Sequence, residues 1–157
     1  AFSQLNHHLP QSRLVLVGSY RHDGAAFQAA RSSNAYEAIS FVGKQEQDAL
    51  IRTLDSSDVY VMSSRLETFG IAPIEALARG KPAILTPTGI APEISSLPGV
   101  LLVKSTGAQH LRDAMEAAVS AAVEADPFEI SRSIRSLFSE EQICAKLTGI
   151  YREVRSR

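Results

Sequence analysis

Ser56-Ser-Asp-Val-Tyr-Val-Met-Ser-Ser-Arg-Leu-Glu-Thr-Phe-Gly-Ile-Ala-Pro-Ile-Glu-Ala-Leu-Ala-Arg-Gly-Lys-Pro82 is the stretch whose reading decides the fold. Val59 to Met62 is a short apolar run and reads as a buried strand. Ser63 to Gly70 is a polar turn ending in glycine. Helical spacing follows, with Pro73 suited to open a helix and Gly80 to close it. A strand, a glycine and a helix start present free backbone N–H groups to an anion. Glu67 and Glu75 flank that glycine with seven residues between them.

The same alternation extends outward in both directions. Leu14-Val-Leu-Val-Gly18, Ala38-Ile-Ser-Phe-Val-Gly43, Ala83-Ile-Leu-Thr86 and Val100-Leu-Leu-Val103 are further apolar runs ending in turn residues or bounded by them. Helical patterns fall between them: residues 1–9, 25–32, around 50–54, and a short one at 93–96. Longer ones follow at 107–124, 127–137 and 139–155. Asp126 and Pro127 start the second of these, and a Ser139–Gln142 capping box starts the third. Alternating strands and helices predict an α/β fold, a Rossmann-like doubly wound parallel sheet with helices on both faces. Ligands in such sheets bind outside the carboxyl ends of the strands. The run 14–18 is expected to be covered on both faces. The last helix is expected to bury Ile143, Leu147, Ile150, Tyr151 and Val154, with Cys144 packed beside them.

Composition excludes several classes of function. The 157 residues, 45% hydrophobic, suffice for one core. Sixteen Lys and Arg against seventeen Asp and Glu give a net charge of -1, which argues against nucleic acid as a partner. No apolar run is long enough to span a bilayer, so membrane contact is not indicated. The lone Cys144 can form neither an internal disulfide nor a multi-cysteine metal site, and favours a reducing compartment. His7, His8, His22 and His110 lack metal-site spacing. No P-loop, G-x-G-x-x-G or G-x-S-x-G motif occurs.

Glu67 and Glu75 therefore carry the chemistry. Taken singly, Glu75 reads as a first-turn helix glutamate and Glu67 as a solvated loop residue. Around Phe69-Gly70 they read better as a pair. Carboxylates would repel a phosphate, and an ionised carboxylate only accepts hydrogen bonds, so the hydroxyls of a sugar and a ribose suit them. The backbone N–H groups of Phe69, Gly70 and Ile71 suit the phosphate itself.

The run Ser64-Arg-Leu-Glu-Thr-Phe-Gly-Ile-Ala-Pro-Ile-Glu-Ala-Leu-Ala-Arg-Gly-Lys-Pro-Ala resembles the E-x7-E signature of retaining GT-B glycosyltransferases that use nucleotide sugars, the class of glycogen, sucrose and mannosyl-lipid synthases. Leu14–Gly18, Phe41-Val-Gly43, Asp58–Met62, Thr88–Glu93 and the Phe138-Ser-Glu-Glu-Gln helix start resemble the family in the same order. The resemblance implies that residues 1–157 are a single, N-terminally incomplete, C-terminal donor-binding domain. Glu67 would be the catalytic and sugar-binding carboxylate, and Glu75 would hold the ribose. Phe69, Gly70 and Ile71 would meet the diphosphate or sugar, Lys44 and Gln45 the base, with Gly18 among the donor-binding positions. It implies no cofactor and no metal. The substrate would be a UDP-, GDP- or ADP-linked sugar, and a partner acceptor domain would lie in the missing N-terminal part.

Two departures stand out. The family's first strand, with its Arg and Lys diphosphate clamp, is absent and would leave a gap at the centre of the sheet. Ser63 replaces a proline common before Ser64. The expected protein is a hexosyltransferase of which this chain alone is inactive. It would be cytoplasmic, with the cytoplasmic face of a membrane as the alternative for the full-length protein. The competing reading is a non-catalytic module that binds sugar nucleotides.

Overall fold

The computed structural model describes residues 1–122 and 124–155. The chain runs α1 (Phe2–His8), β1 (Leu14–Val17), α2 (Ala25–Arg31), a 3-10 turn (Tyr36–Ala38), β2 (Ile39–Gly43), α3 (Gln47–Asp55), β3 (Tyr60–Met62) and α4 (Ile71–Ala78). It continues through β4 (Ala83–Leu85), β5 (Val100–Leu102), α5 (Ala108–Ala122), α6 (Pro127–Phe138) and α7 (Glu140–Arg155). Every strand pairing among the described residues is parallel, with helical crossovers from β1 to β2 and from β3 to β4 and a run of turns from β4 to β5.

The strands form two sheets. β1 pairs with β2, and β3-β4-β5 form a second sheet in which Tyr60, Ala83 and Val100 stand in register. Among the described residues, β1 and β2 of one sheet and β3 and β5 of the other each have one edge without a strand partner.

β4 shows why the three-stranded sheet is stable. Ala83 and Leu85 point into a core built with Leu77 of α4 and Ile130 and Ile134 of α6. Ile84 points to the opposite face, against Val103 and α5 residues Leu111 and Ala118. All three β4 residues are buried, as a two-face-covered parallel strand must be. A third cluster, centred on Phe2, Leu5, Ala35 and Ala38, packs α1 against the first sheet. Met115 of α5 touches both this cluster and the one around Ile84, so α5 joins the two sheets.

Several expectations are corrected. Val15, Leu16 and Val17 are exposed, because β1 has only β2 beside it and α2 buries none of its residues. In α7 the face carrying Ile143, Leu147, Ile150, Tyr151 and Val154 is exposed, and so is Cys144. The helix packs chiefly against α6, and its apolar stripe stays exposed. Helix α4 opens at Ile71, not at Pro73, with Gly70 as its N-cap. The short helix expected at 93–96 is a series of turns. The expected end of α5 at residues 123–124 lies partly outside the described residues. The α6 start is as read: the Asp126 carboxylate accepts from the Phe128 N–H at 2.9 Å. Only half of the α7 capping box forms, with the Gln142 N–H donating to Ser139 Oγ at 3.4 Å.

Leu85 has no exposed surface, and its removal would leave a cavity between α4 and α6. Leu85→Ala is expected to cost about 3 kcal/mol, read as a lowered urea midpoint with an unchanged slope.

Candidate functional site

The turn leaving β3 lies where a parallel sheet offers its ligand site. A cavity of about 290 Å³ is lined by the strand residues Tyr60, Val61 and Met62, the turn residues Ser63, Ser64 and Glu67, and the start of α4 from Gly70 to Pro73. The polar turn is short because Gly70 reverses the chain in a conformation with φ 91° and ψ 74°. A side chain disfavours this region and glycine does not. Gly70 offers no side-chain acceptor, so the first N–H groups of α4 remain available at the positive end of the helix. Pro73, buried at the third helical position, has no N–H to leave unpaired.

The turn is fastened from the neighbouring strand. The Thr86 hydroxyl, fully buried, donates to the Ser64 carbonyl at 2.7 Å. Ser64 Oγ donates to Glu67 Oε1 at 2.9 Å. The Ile90 N–H donates to the Phe69 carbonyl at 2.7 Å. Gly89, at φ 57°, passes so close that a Cβ there would stand 2.4 Å from the Phe69 carbonyl oxygen and 3.0 Å from the Glu67 Cβ. The loop after β4 is therefore the floor on which residues 67–69 rest. Phe69, about half exposed, meets the ring of Phe138 edge-on at 6.1 Å.

Tyr60 adds an electrostatic feature. Burial raises its phenol to a pKa of about 12, and the nearby Glu67 and Glu75 carboxylates reinforce the effect by opposing a second negative charge. The phenol stays protonated beside two carboxylates.

Of the residues singled out in the sequence, Glu67, Gly70 and Ile71 line the cavity together. Glu75 does not line it. It is exposed, at the fifth position of α4, and so lies outside the first turn assumed for it. Phe69 borders the turn without lining the cavity. Gly18, Lys44 and Gln45 belong to the other sheet: the Gly18 N–H donates to the Gly43 carbonyl at 2.8 Å, and Gln45 Oε1 accepts from Thr53 Oγ1 at 2.9 Å. Sequence reading passed over Tyr60, Ser64 and Thr86. The one available signal was a polar Thr86 closing an otherwise apolar run. Among the described residues no cluster of His, Cys, Asp and Glu is arranged to hold a metal.

With this geometry in view, the comparison with known proteins is decisive for the family. Residues 1–126 match the family described as Glycosyl transferases group 1. The chain belongs to that family. It is 30% identical over 111 residues to a GDP-mannose-dependent monoacylated alpha-(1-6)-phosphatidylinositol monomannoside mannosyltransferase of Corynebacterium glutamicum, covering 66% of this chain and 29% of that protein. It is 28% identical over 132 residues to a D-inositol 3-phosphate glycosyltransferase of Mycolicibacterium gilvum, covering 80% of this chain and again 29% of the relative. The chain thus spans under a third of each of these proteins. Among solved structures, the sucrose-phosphate synthase of Thermosynechococcus elongatus superposes with a TM-score of 0.80 at 26% identity, over 99% of this chain and 41% of that one. Anabaena HepE, solved with UDP and glucose, shares the fold at a TM-score of 0.76 and 18% identity, over 94% of this chain and 43% of that one. These neighbours fix the fold as GT-B, with parallel sheets and flanking helices.

Two outcomes are expected. Gly89→Ala should cost about 2 kcal/mol and displace the 67–69 turn, since both the positive φ and the adjacent backbone oxygen oppose a Cβ; thermal unfolding reads the first effect. Tyr60, with its folded pKa above the ordinary value of 10.0, contributes stability fully present below pH 10 and lost as pH rises towards 12. Tyr60→Phe should therefore flatten the fall in unfolding midpoint between pH 10 and 12.

Proposed function

We propose that this chain is the donor-binding half of a retaining glycosyltransferase that moves a hexose from a nucleoside-diphosphate sugar to an acceptor. The reading is carried by one observation: Glu67 and the uncapped start of α4 meet in one cavity at the carboxyl end of β3. Family membership supports it. In the transfer, the bond from the anomeric carbon to the diphosphate oxygen breaks and a bond to the acceptor oxygen forms, while the acceptor hydroxyl's proton passes to the departing diphosphate. Glu67 holds hydroxyls of the sugar at the reacting end and is the catalytic residue of this chain. Glu75, the second carboxylate of the E-x7-E pair, holds the ribose. The N–H groups of Phe69, Gly70 and Ile71 meet the leaving diphosphate at the positive end of α4, where developing charge is best stabilised.

Gly18, Lys44 and Gln45, at the carboxyl ends of β1 and β2, take the nucleotide. Thr53 holds the Gln45 side chain, which leaves the Gln45 backbone to meet the base. The base is that of a UDP-, GDP- or ADP-linked sugar, and the diphosphate is neutralised without a metal. The open edges of β1 and β3 support a further strand between them, supplied with the acceptor domain by sequence outside this chain. The lone, exposed Cys144 favours a reducing, cytoplasmic compartment, or the cytoplasmic face of a membrane.

Calorimetry of the full-length protein with UDP-, GDP- and ADP-linked hexoses tests the reading. One of them should bind, and Glu75→Ala should weaken it about 10- to 100-fold, the loss of hydrogen bonds to a charged group. Failure of all three to bind, or an unchanged affinity in the variant, overturns the assignment. Residues 1–157 alone should show no turnover, and turnover by them would overturn the donor-half reading.

A further inference from the structure

Resting on the reading of Glu67 as a sugar-binding carboxylate, we propose that Ser64 and Thr86 are positioning residues that fix which Glu67 oxygen meets the donor sugar. Each of the two hydroxyls carries one proton to donate. The Thr86 hydroxyl has two carbonyls in reach, Ser64 at 2.7 Å and Met62 at 3.3 Å. The Thr86 backbone N–H already serves the Met62 carbonyl at 3.1 Å. The hydroxyl proton therefore goes to Ser64. This pins the Ser64 backbone from inside the core, where Thr86 has no exposed surface.

A pinned Ser64 backbone fixes the direction of its Cα–Cβ bond, and Ser64 Oγ then reaches Glu67 Oε1 at 2.9 Å. Oε1 thereby takes one hydrogen bond and the carboxylate is held in one orientation. Oε2 is the oxygen with both acceptor sites open to a sugar hydroxyl. Without this brace Glu67 sits on an exposed polar turn and loses side-chain freedom only when the ligand binds, which weakens binding. The brace acts on the sugar and not on the nucleotide, since neither hydroxyl belongs to the groups assigned to ribose or base.

The readout is the ratio of affinities for a sugar nucleotide over the bare nucleoside diphosphate. It is measured by calorimetry on the full-length protein with UDP and UDP-glucose, GDP and GDP-mannose, and ADP and ADP-glucose. For the pair that binds, Ser64→Ala and Thr86→Val should each lower the ratio about tenfold, the equivalent of one hydrogen bond to a charged group. The affinity for the bare diphosphate should stay within about twofold, and Thr86→Ser should restore the ratio. A merely structural role for Thr86 would weaken both ligands alike and overturn the proposal. If Thr86→Val does not fold, Ser64→Ala decides alone, because Ser64 is partly exposed. If Glu67→Ala lowers the ratio while Ser64→Ala leaves it unchanged, the brace is refuted and the site reading stands. If Glu67→Ala also leaves it unchanged, or no sugar nucleotide binds, the site reading itself fails and the brace with it.

Discussion

The structure depends on the complete burial of one short strand. β4 is three residues long, and helices cover it on both faces, α4 and α6 on one and α5 on the other. A strand so enclosed tolerates little displacement, because interiors pack at crystal-like density. Its next residue, Thr86, inherits that fixed position and passes it on. The ladder from β4 to β3 sets where β3 ends, and the Thr86 hydroxyl sets how the chain leaves it. A polar group buried there would cost free energy if unpaired, so its bond to the Ser64 carbonyl is obligatory. Order at the cavity is thus borrowed from the core.

The β1–β2 sheet lacks this enclosure, and the difference shows in its exposure. β1 has as apolar a sequence as β4, yet Val15 and Val17 retain more than 40% of their surface. An aromatic group made of Tyr20, Phe27 and Phe41, with Tyr20 and Phe27 stacked at 5.7 Å, gives the unit some cohesion. Tyr20, just past β1, sets this group toward that strand's carboxyl end.

These contrasts mark what the sequence could and could not say. Strand positions were legible because apolar runs of four or five residues between turn residues have few other uses. The α/β class followed, and so did the pairing of Glu67 with a glycine-led helix start. The beginning of α4 was misread, since Pro73 fits a first helical position as well as a third, and only a positive φ at Gly70 distinguishes them. The exposure of β1 and α7 was invisible for a different reason. An apolar stripe reports that a face seeks cover and says nothing of whether the chain supplies it. Thr86 and Ser64 escaped notice because hydroxyl residues near a turn are ordinary, and only burial and a 2.7 Å contact give them meaning.

The boundary between the sheets has a consequence for cooperativity. Strand hydrogen bonds do not cross it among the described residues, and α5 spans it through side-chain packing, with Met115 touching a cluster on either side. Packing alone couples two units more loosely than a continuous ladder does. Among the described residues the β1–β2 unit is therefore tied to β3-β4-β5 by side chains alone, and a strand laid between β1 and β3 would turn two loosely coupled units into one ladder.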